Sequence, residues 1–171
     1  FFNNVAVGAA HALDHHGLER VAVLDFDVHL GNGTEDIFRN DPRVLLCSSY
    51  QYPLYPDMNP PSVPGHIVNC PLPPGSGSEA FRAAVTDHWV PALDAFRPQL
   101  VFISAGFDAH ANDPLAELSL GTRDYTWVTG VACDVAERHC GGRVVSTLEG
   151  GYDLTALATS AAAHIERLMH S

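Results

Sequence analysis

The sequence predicts an α/β domain in which a parallel sheet carries helices on both faces. Three observations carry that reading. Four short runs rich in aliphatic and β-branched residues begin at Val21, Val44, Leu100 and Val144, and Val21–Leu24 is apolar throughout, as a strand buried on both faces is. Stretches with apolar residues at helical spacing separate them. Polar side chains capable of chemistry gather just after the runs end, at the edge where parallel sheets bind ligands.

The elements follow in order. Residues 4–15 form a helix with Val5, Ala9, Ala12 and Leu13 on one face, and Gly17 stops it. Residues 21–27 form the first strand. Gly31-Asn-Gly33 turns the chain, and Thr34 is placed to cap a short helix at 35–39 that carries Glu35 and Asp36 in its first turn. Residues 44–48 form the second strand. From Gln51 to Gly77, Pro and Gly are crowded around one brief apolar interruption at 67–70, which reads as a long functional loop. Residues 78–96 form a long amphipathic helix, with Glu79 in its first turn and Pro98 just past its end. The third strand spans 100–104. Gly141-Gly142 closes a helix at 122–139, the fourth strand spans 144–148, and residues 154–169 form the terminal helix. The chain contains no internal repeat and no linker, so a single domain is expected.

Composition narrows the function. The chain has 171 residues, of which 46% are hydrophobic and 17% charged, which is globular rather than disordered. Nine basic against twenty acidic residues give a net charge of −11, with no basic cluster for a phosphate backbone. Direct nucleic-acid binding is disfavoured, and cationic partners such as lysine-rich peptides or polyamines are favoured. No run approaches the ~20 apolar residues that span a bilayer, so no membrane association is expected. Cys47, Cys70, Cys133 and Cys140 show no C-x-x-C spacing. They are expected as free thiols in the cytoplasm.

The chemistry is densest in Val23-Leu-Asp-Phe-Asp-Val-His-Leu-Gly-Asn-Gly-Thr34. Asp25, Asp27 and His29 share one side if the strand stays extended, and carboxylate with imidazole at a strand end is a pattern that binds metal. An Asp-rich turn with a hydrogen-bonded histidine is the alternative. The other strand ends deliver Ser48 and Ser49, then Asp108, then Gly150-Gly151-Tyr152. His15-His16 falls at a helix C-terminus, where imidazole interacts well with the helix dipole.

Read together, LDFDVHLGNGT, SAGFDAHANDP and LEGGYDL, preceded by FFNNVAVGAAHAL, resemble the zinc-dependent histone deacetylase family. The resemblance is nearest to its bacterial members and the acetylpolyamine amidohydrolases, and it covers nearly the whole chain. It implies a three-layer arginase/deacetylase-like fold and Zn²⁺ held by Asp27, His29 and Asp108. It implies Tyr152 as donor to the tetrahedral oxyanion, although an ordinary capping aromatic has the same position. Gly150 and Gly151 would let the backbone approach the ligand. Asp25 would be either a partner behind the zinc or, with Ser48, a ligand of a structural K⁺ or Na⁺. Tyr55 and Leu115 would wall the acyl-lysine channel, with a surface aromatic and a core leucine as alternatives.

The family's general base is a tandem histidine upstream of the segment matching Phe1. Residues 1–171 are therefore expected to be the C-terminal portion of one catalytic domain, inactive alone, with a sheet left exposed along an edge or face. Asp25 and Asn32 would orient the two absent imidazoles. Leu30 and Tyr50 stand where the family pattern has histidines. The implied function is removal of acetyl groups from acetyl-lysine in protein or from acetylpolyamine. A degenerate, non-catalytic metal-binding relative and an arginase-like dimanganese hydrolase are the alternatives, and metal content separates the last from the others.

Overall fold

A computed structural model describes residues 2–170; Phe1 and Ser171 lie outside them. Helix α1 (Asn4–His16) is capped by Asn3, whose side chain accepts from the Ala6 amide. It ends at Gly17 in the left-handed region at φ 65°, and the Gly17 N–H donates to Ala12 O. Four residues later β1 (Val21–Asp25) begins. α2 (Asn32–Phe38), β2 (Val44–Gln51) and β3 (Ile67–Leu72) follow. The predicted long helix is α3 (Ser78–Ala84), a π-helical turn (Val85–Trp89) and α4 (Val90–Phe96) in continuous succession. β4 (Leu100–Ala105), α5 (Thr122–Cys140), β5 (Val144–Leu148) and α6 (Leu154–Met169) complete the chain.

The strands form one sheet in the order β3-β2-β1-β4-β5, every pair parallel. Side-chain alternation along β1 divides the core. Val21 and Val23 pack with Val5, Ala9, Leu13 and Phe38 from α1 and α2. Ala22 and Leu24 pack with Phe81, Trp89, Leu93, Tyr125 and Val128 from the helices of the other face. Helix, sheet and helix make three layers, as expected.

Three expectations need correction. Residues 67–70 are not an interruption in a loop but the start of β3, a fifth strand on the sheet's edge. Pro71 disguised it, and an edge strand tolerates proline because its outer side needs no ladder donor. β1 stops at Asp25 rather than Asp27, because the chain turns at once to bring its acids inward. Thr34 does not cap a helix: α2 starts at Asn32 behind Gly31, and the buried Thr34 hydroxyl accepts from Asn3 Nδ2 at 2.8 Å. At the opposite edge β5 is half exposed, with Val145 at 47% and Leu148 at 59%, so the sheet is open along this side. No helix among the described residues is long and apolar enough to cross a membrane.

His164 on α6 is buried between two hydroxyls. The Thr129 hydroxyl donates to Tyr125 O, so it accepts from His164 Nδ1 at 2.6 Å. Nε2 then accepts from Ser146 Oγ at 2.8 Å, which fixes a neutral tautomer. Burial depresses its pKa to about 4. A depressed histidine leaves the fold at full stability above the unfolded value near 6.5 and weakens it as pH falls toward the folded value. The denaturation midpoint should therefore drop between pH 6.5 and 4, and His164→Leu should flatten that segment of the profile. An unchanged slope in the variant would remove His164 as its cause.

Candidate functional site

The chemistry sits on the loops that leave β1, β4 and β5 on one edge of the sheet. Asp27 and His29 follow β1, Asp108 follows β4, and Gly150 follows β5. His29 Nδ1 lies 3.0 Å from Asp27 Oδ1 and 3.2 Å from Asp108 Oδ2, and the three ligand-capable atoms all lie within 4.8 Å of one another. Each acid spends its other oxygen, or a shared one, on backbone. Asp27 Oδ2 accepts from the Gly150 amide at 2.8 Å and Oδ1 from the His29 amide at 2.9 Å. Asp108 Oδ1 accepts from the Val28 amide at 2.9 Å. Asp108 Oδ2 is buried and lacks a well-directed hydrogen bond among the described residues, although it lies at ion-pair distance from His29.

A divalent cation fits this arrangement on three counts. Two carboxylates and an imidazole are a donor set that zinc accepts while keeping an open position. Donors about 3 Å apart are what metal–ligand bonds of about 2 Å produce. The surrounding backbone is also cut to size: a Cβ at Gly150 would fall inside the Asp108 carboxylate, and one at Gly106 would meet Asp27 Cα at 2.5 Å. Gly151 sits at φ 146°, where side chains are strained.

Electrostatics agree with a site built around charge. Close contact with the Asp108 and then the Asp27 carboxylate holds the His29 imidazolium, raising its pKa to about 10 against the effect of burial. Burial pushes the Asp27 carboxyl up, but the His29 ring and the amides of His29 and Gly150 outweigh it and the net shift is downward. Asp108 moves up because burial exceeds the help from His29. Asp25 is driven well above the carboxylate range, chiefly by burial and then by the charge of Asp27.

The remaining predicted residues surround this triad unequally. Asp25 lies outside the three-donor cluster; one oxygen accepts from the Asp27 amide at 3.1 Å. Ser48 is its register partner on β2, buried, with a hydroxyl that has no hydrogen bond among the described residues. The Tyr55 ring stands 6.4 Å from the His29 ring and is 76% exposed. Leu115 and Tyr152 are also exposed, at 54% and 51%. The charges of Asp108 and Asp27 reach the Tyr152 phenol and, after its partial burial, raise its pKa. Asn32 is the outlier. It is exposed in the first turn of α2 and lines a separate depression with Glu35, Arg39 and Met58. Tyr50 fills its position as a buried core residue whose hydroxyl donates to Asn59 Oδ1 at 2.9 Å.

Sequence reasoning passed over two acids. Asp113 is buried and accepts from the Tyr152 amide at 2.8 Å and the Leu115 amide at 3.0 Å, tying the two exposed residues to one carboxylate. Glu149 accepts from Ser104 Oγ at 3.0 Å and faces a cavity of about 380 Å³ shared with Asp25, Asp27 and His29. The sequence signals were present, an acid before Pro114 and an acid before two glycines, but they were masked by the stronger neighbours in the same motifs.

Residues 1–168 match the histone deacetylase domain. The chain belongs to the histone deacetylase family. It is 42% identical over 160 residues to a protein of Archaeoglobus fulgidus named probable deacetylase, covering 90% of this chain and 44% of that one. It is also 42% identical to the histone deacetylase-like amidohydrolase of Pseudomonas aeruginosa, over 98% of this chain and 46% of the relative. Among solved structures, the HD domain of HDA15 superposes with a TM-score of 0.91 at 35% identity, covering 99% of this chain and 49% of that chain. The three-layer arrangement is thus that of histone deacetylase domains, and the chain spans less than half the length of these relatives.

Removing the Asp113 carboxylate strands two amides at the rim. Asp113→Ala should lower unfolding free energy by about 1–3 kcal/mol in denaturant titration, the range for a buried partner lost. Asp113→Asn, which keeps one acceptor oxygen, should recover part of it. Equal stability in all three proteins would show that the carboxylate does not hold the rim.

Proposed function

We propose that this chain is the C-terminal portion of the catalytic domain of a Zn²⁺-dependent deacetylase that hydrolyses acetylated amines to amine and acetate. The observation that carries the reading is the convergence of Asp27, His29 and Asp108, with Asp108 Oδ2 buried and free of a directed hydrogen bond. These three residues would hold the zinc. Bound there, zinc supplies a Lewis acid for the amide carbonyl and lowers the pKa of water.

The chain's own residues supply the rest. The Tyr152 phenol, exposed beside Asp108 and Asp27, would donate to the oxyanion as the carbonyl becomes tetrahedral. Its raised pKa keeps it protonated at neutral pH, as a donor must be. Gly150 and Gly151 give the substrate space that a side chain would occupy. Tyr55 and Leu115 would flank the acyl chain. Acetyl-lysine in protein and acetylpolyamine both fit an opening of this chemistry on an acidic protein.

Proton transfer needs a base that these residues lack, and the tandem histidine implied upstream would supply it. The cavity lined by Asp25, Asp27 and Glu149 offers carboxylate oxygens to imidazole N–H groups, which supports docking of that segment here. The open edge at β5 supports further strands there. Asn32, exposed and lining a separate depression, gives no such support for its proposed part. Asp25 and the unpartnered Ser48 hydroxyl would take K⁺ or Na⁺. At this edge the described residues bring only one set of three ligand atoms, those of Asp27, His29 and Asp108, within 4.8 Å of one another, which favours a single ion over a dimanganese centre. A cytoplasmic location belongs to the same reading, supported by four unpaired, buried cysteines.

Two variants test the assignment. Asp108→Ala should abolish zinc retention measured by elemental analysis, and unchanged zinc content would sink the metal site. Tyr152→Phe, in the protein that includes the upstream histidines, should keep zinc and lose about 10²–10³-fold in kcat on an acetyl-lysine peptide. Normal turnover would remove Tyr152 from the mechanism.

A further inference from the structure

Away from the triad, three histidines gather at the far end of α1. His11 and His15 are four residues apart, which places them one turn above the other on the same side of the helix. His16 flanks them before Gly17 ends the helix. The ring centres of His11 and His15 are 4.7 Å apart, those of His11 and His16 are 5.0 Å apart, and those of His15 and His16 are 6.4 Å apart. All three residues are exposed, and none of the imidazoles has a hydrogen-bond partner among the described residues.

Those separations have chemical meaning. A nitrogen–metal bond of about 2.0–2.1 Å puts the ring centre roughly 3.2 Å from the ion, so two imidazoles on one ion have centres about 4.5–5.2 Å apart. Both pairs that include His11 fall in that range. The His15–His16 pair is wider, but exposed side chains change rotamer freely. Asp14, which lies between His11 and His15 in sequence, is 3.4 Å from Arg43, whose guanidinium the Asp41 carboxylate already holds at 2.6 Å. The charge of Arg43 is therefore compensated. The chain's net charge of −11 also favours cations.

We propose that His11 and His15, with His16 as a third donor, form a second metal site for a divalent transition ion that favours imidazole: Cu²⁺, Ni²⁺ or Zn²⁺. The site is separate from the triad. α1 leads into the start of β1, whereas the triad follows the end of β1, so the two lie at opposite edges of the sheet.

The test uses the untagged protein and its exposed-residue variants, which leave the core untouched. His11→Gln/His15→Gln should elute from immobilised Ni²⁺ at lower imidazole than the parent. In Cu²⁺ titration it should lose one equivalent, or weaken it by at least on the order of a hundredfold as two donors of the chelate disappear together. Asp108→Ala should keep that equivalent, and electron paramagnetic resonance of the Cu²⁺ form should show nitrogen splitting from at least two imidazoles. Retention and titration unchanged in the double variant would overturn the proposal, as would loss of the same equivalent in Asp108→Ala.

Discussion

Carboxylates that reach across from one loop to the backbone of the next hold the working edge of this molecule together. Asp108, after β4, accepts from the Val28 amide after β1; Asp27, after β1, accepts from the Gly150 amide after β5; Asp113 accepts from the Tyr152 amide beyond it. These are hydrogen bonds to charged acceptors, each worth about 1.5–3 kcal/mol where desolvated. Together with the backbone bonds from Phe107 N–H to Gly150 O and from Phe26 N–H to Ser104 O, they close a ring of three loops. The same carboxylate bonds aim Asp27 Oδ1 and Asp108 Oδ2 at His29. Loop geometry and side-chain convergence therefore have one cause.

That ring is possible because the sheet places β1, β4 and β5 side by side, in register from Asp25 with Ser104 and from Ala105 with Leu148. Parallel strands end together, so their loops emerge at the same height. Two glycines then admit the carboxylates. Gly106 makes room for Asp27, and Gly150 makes room for both Asp27 and Asp108. Each is fixed by the space its missing side chain leaves, and only at Gly151 does the backbone angle itself demand glycine.

How much of this was legible in the chain follows from which signals are local. The strands beginning at Val21, Val44, Leu100 and Val144 were legible because hydrophobic runs between helical stretches are a local pattern, and Asp27, His29 and Asp108 stood out because they follow the ends of two of them. β3 did not, because an edge strand needs neither continuous apolar residues nor a donor at Pro71. Thr34 looked like a cap by residue type, yet the helix began two residues earlier and buried it. An exposed edge or face was expected of the sheet, but a Val-rich run says what a strand prefers and not what lies beside it, so it did not single out β5. Asp113 and Glu149 were hidden for a different reason. Their work is to hold backbone amides or a hydroxyl from distant segments, and no sequence spacing encodes that.

The acids at this edge set a cost that the fold alone does not meet. Asp25, Asp108 and Glu149 all have pKa values raised first by burial, and each raised value measures how unwelcome the charge is where the backbone has placed it. One imidazolium, His29, answers two of the carboxylates, and the Asp108 oxygen nearest it still lacks a directed hydrogen bond. A protein selected for stability alone would replace such a cluster with apolar residues at little loss, because breaking even with buried charge is difficult. Keeping the acids makes physical sense if a cation completes them. In that case ion binding and the ordering of three loops become a single equilibrium, since the atoms that would ligate the ion belong to the carboxylates that hold the loops in place.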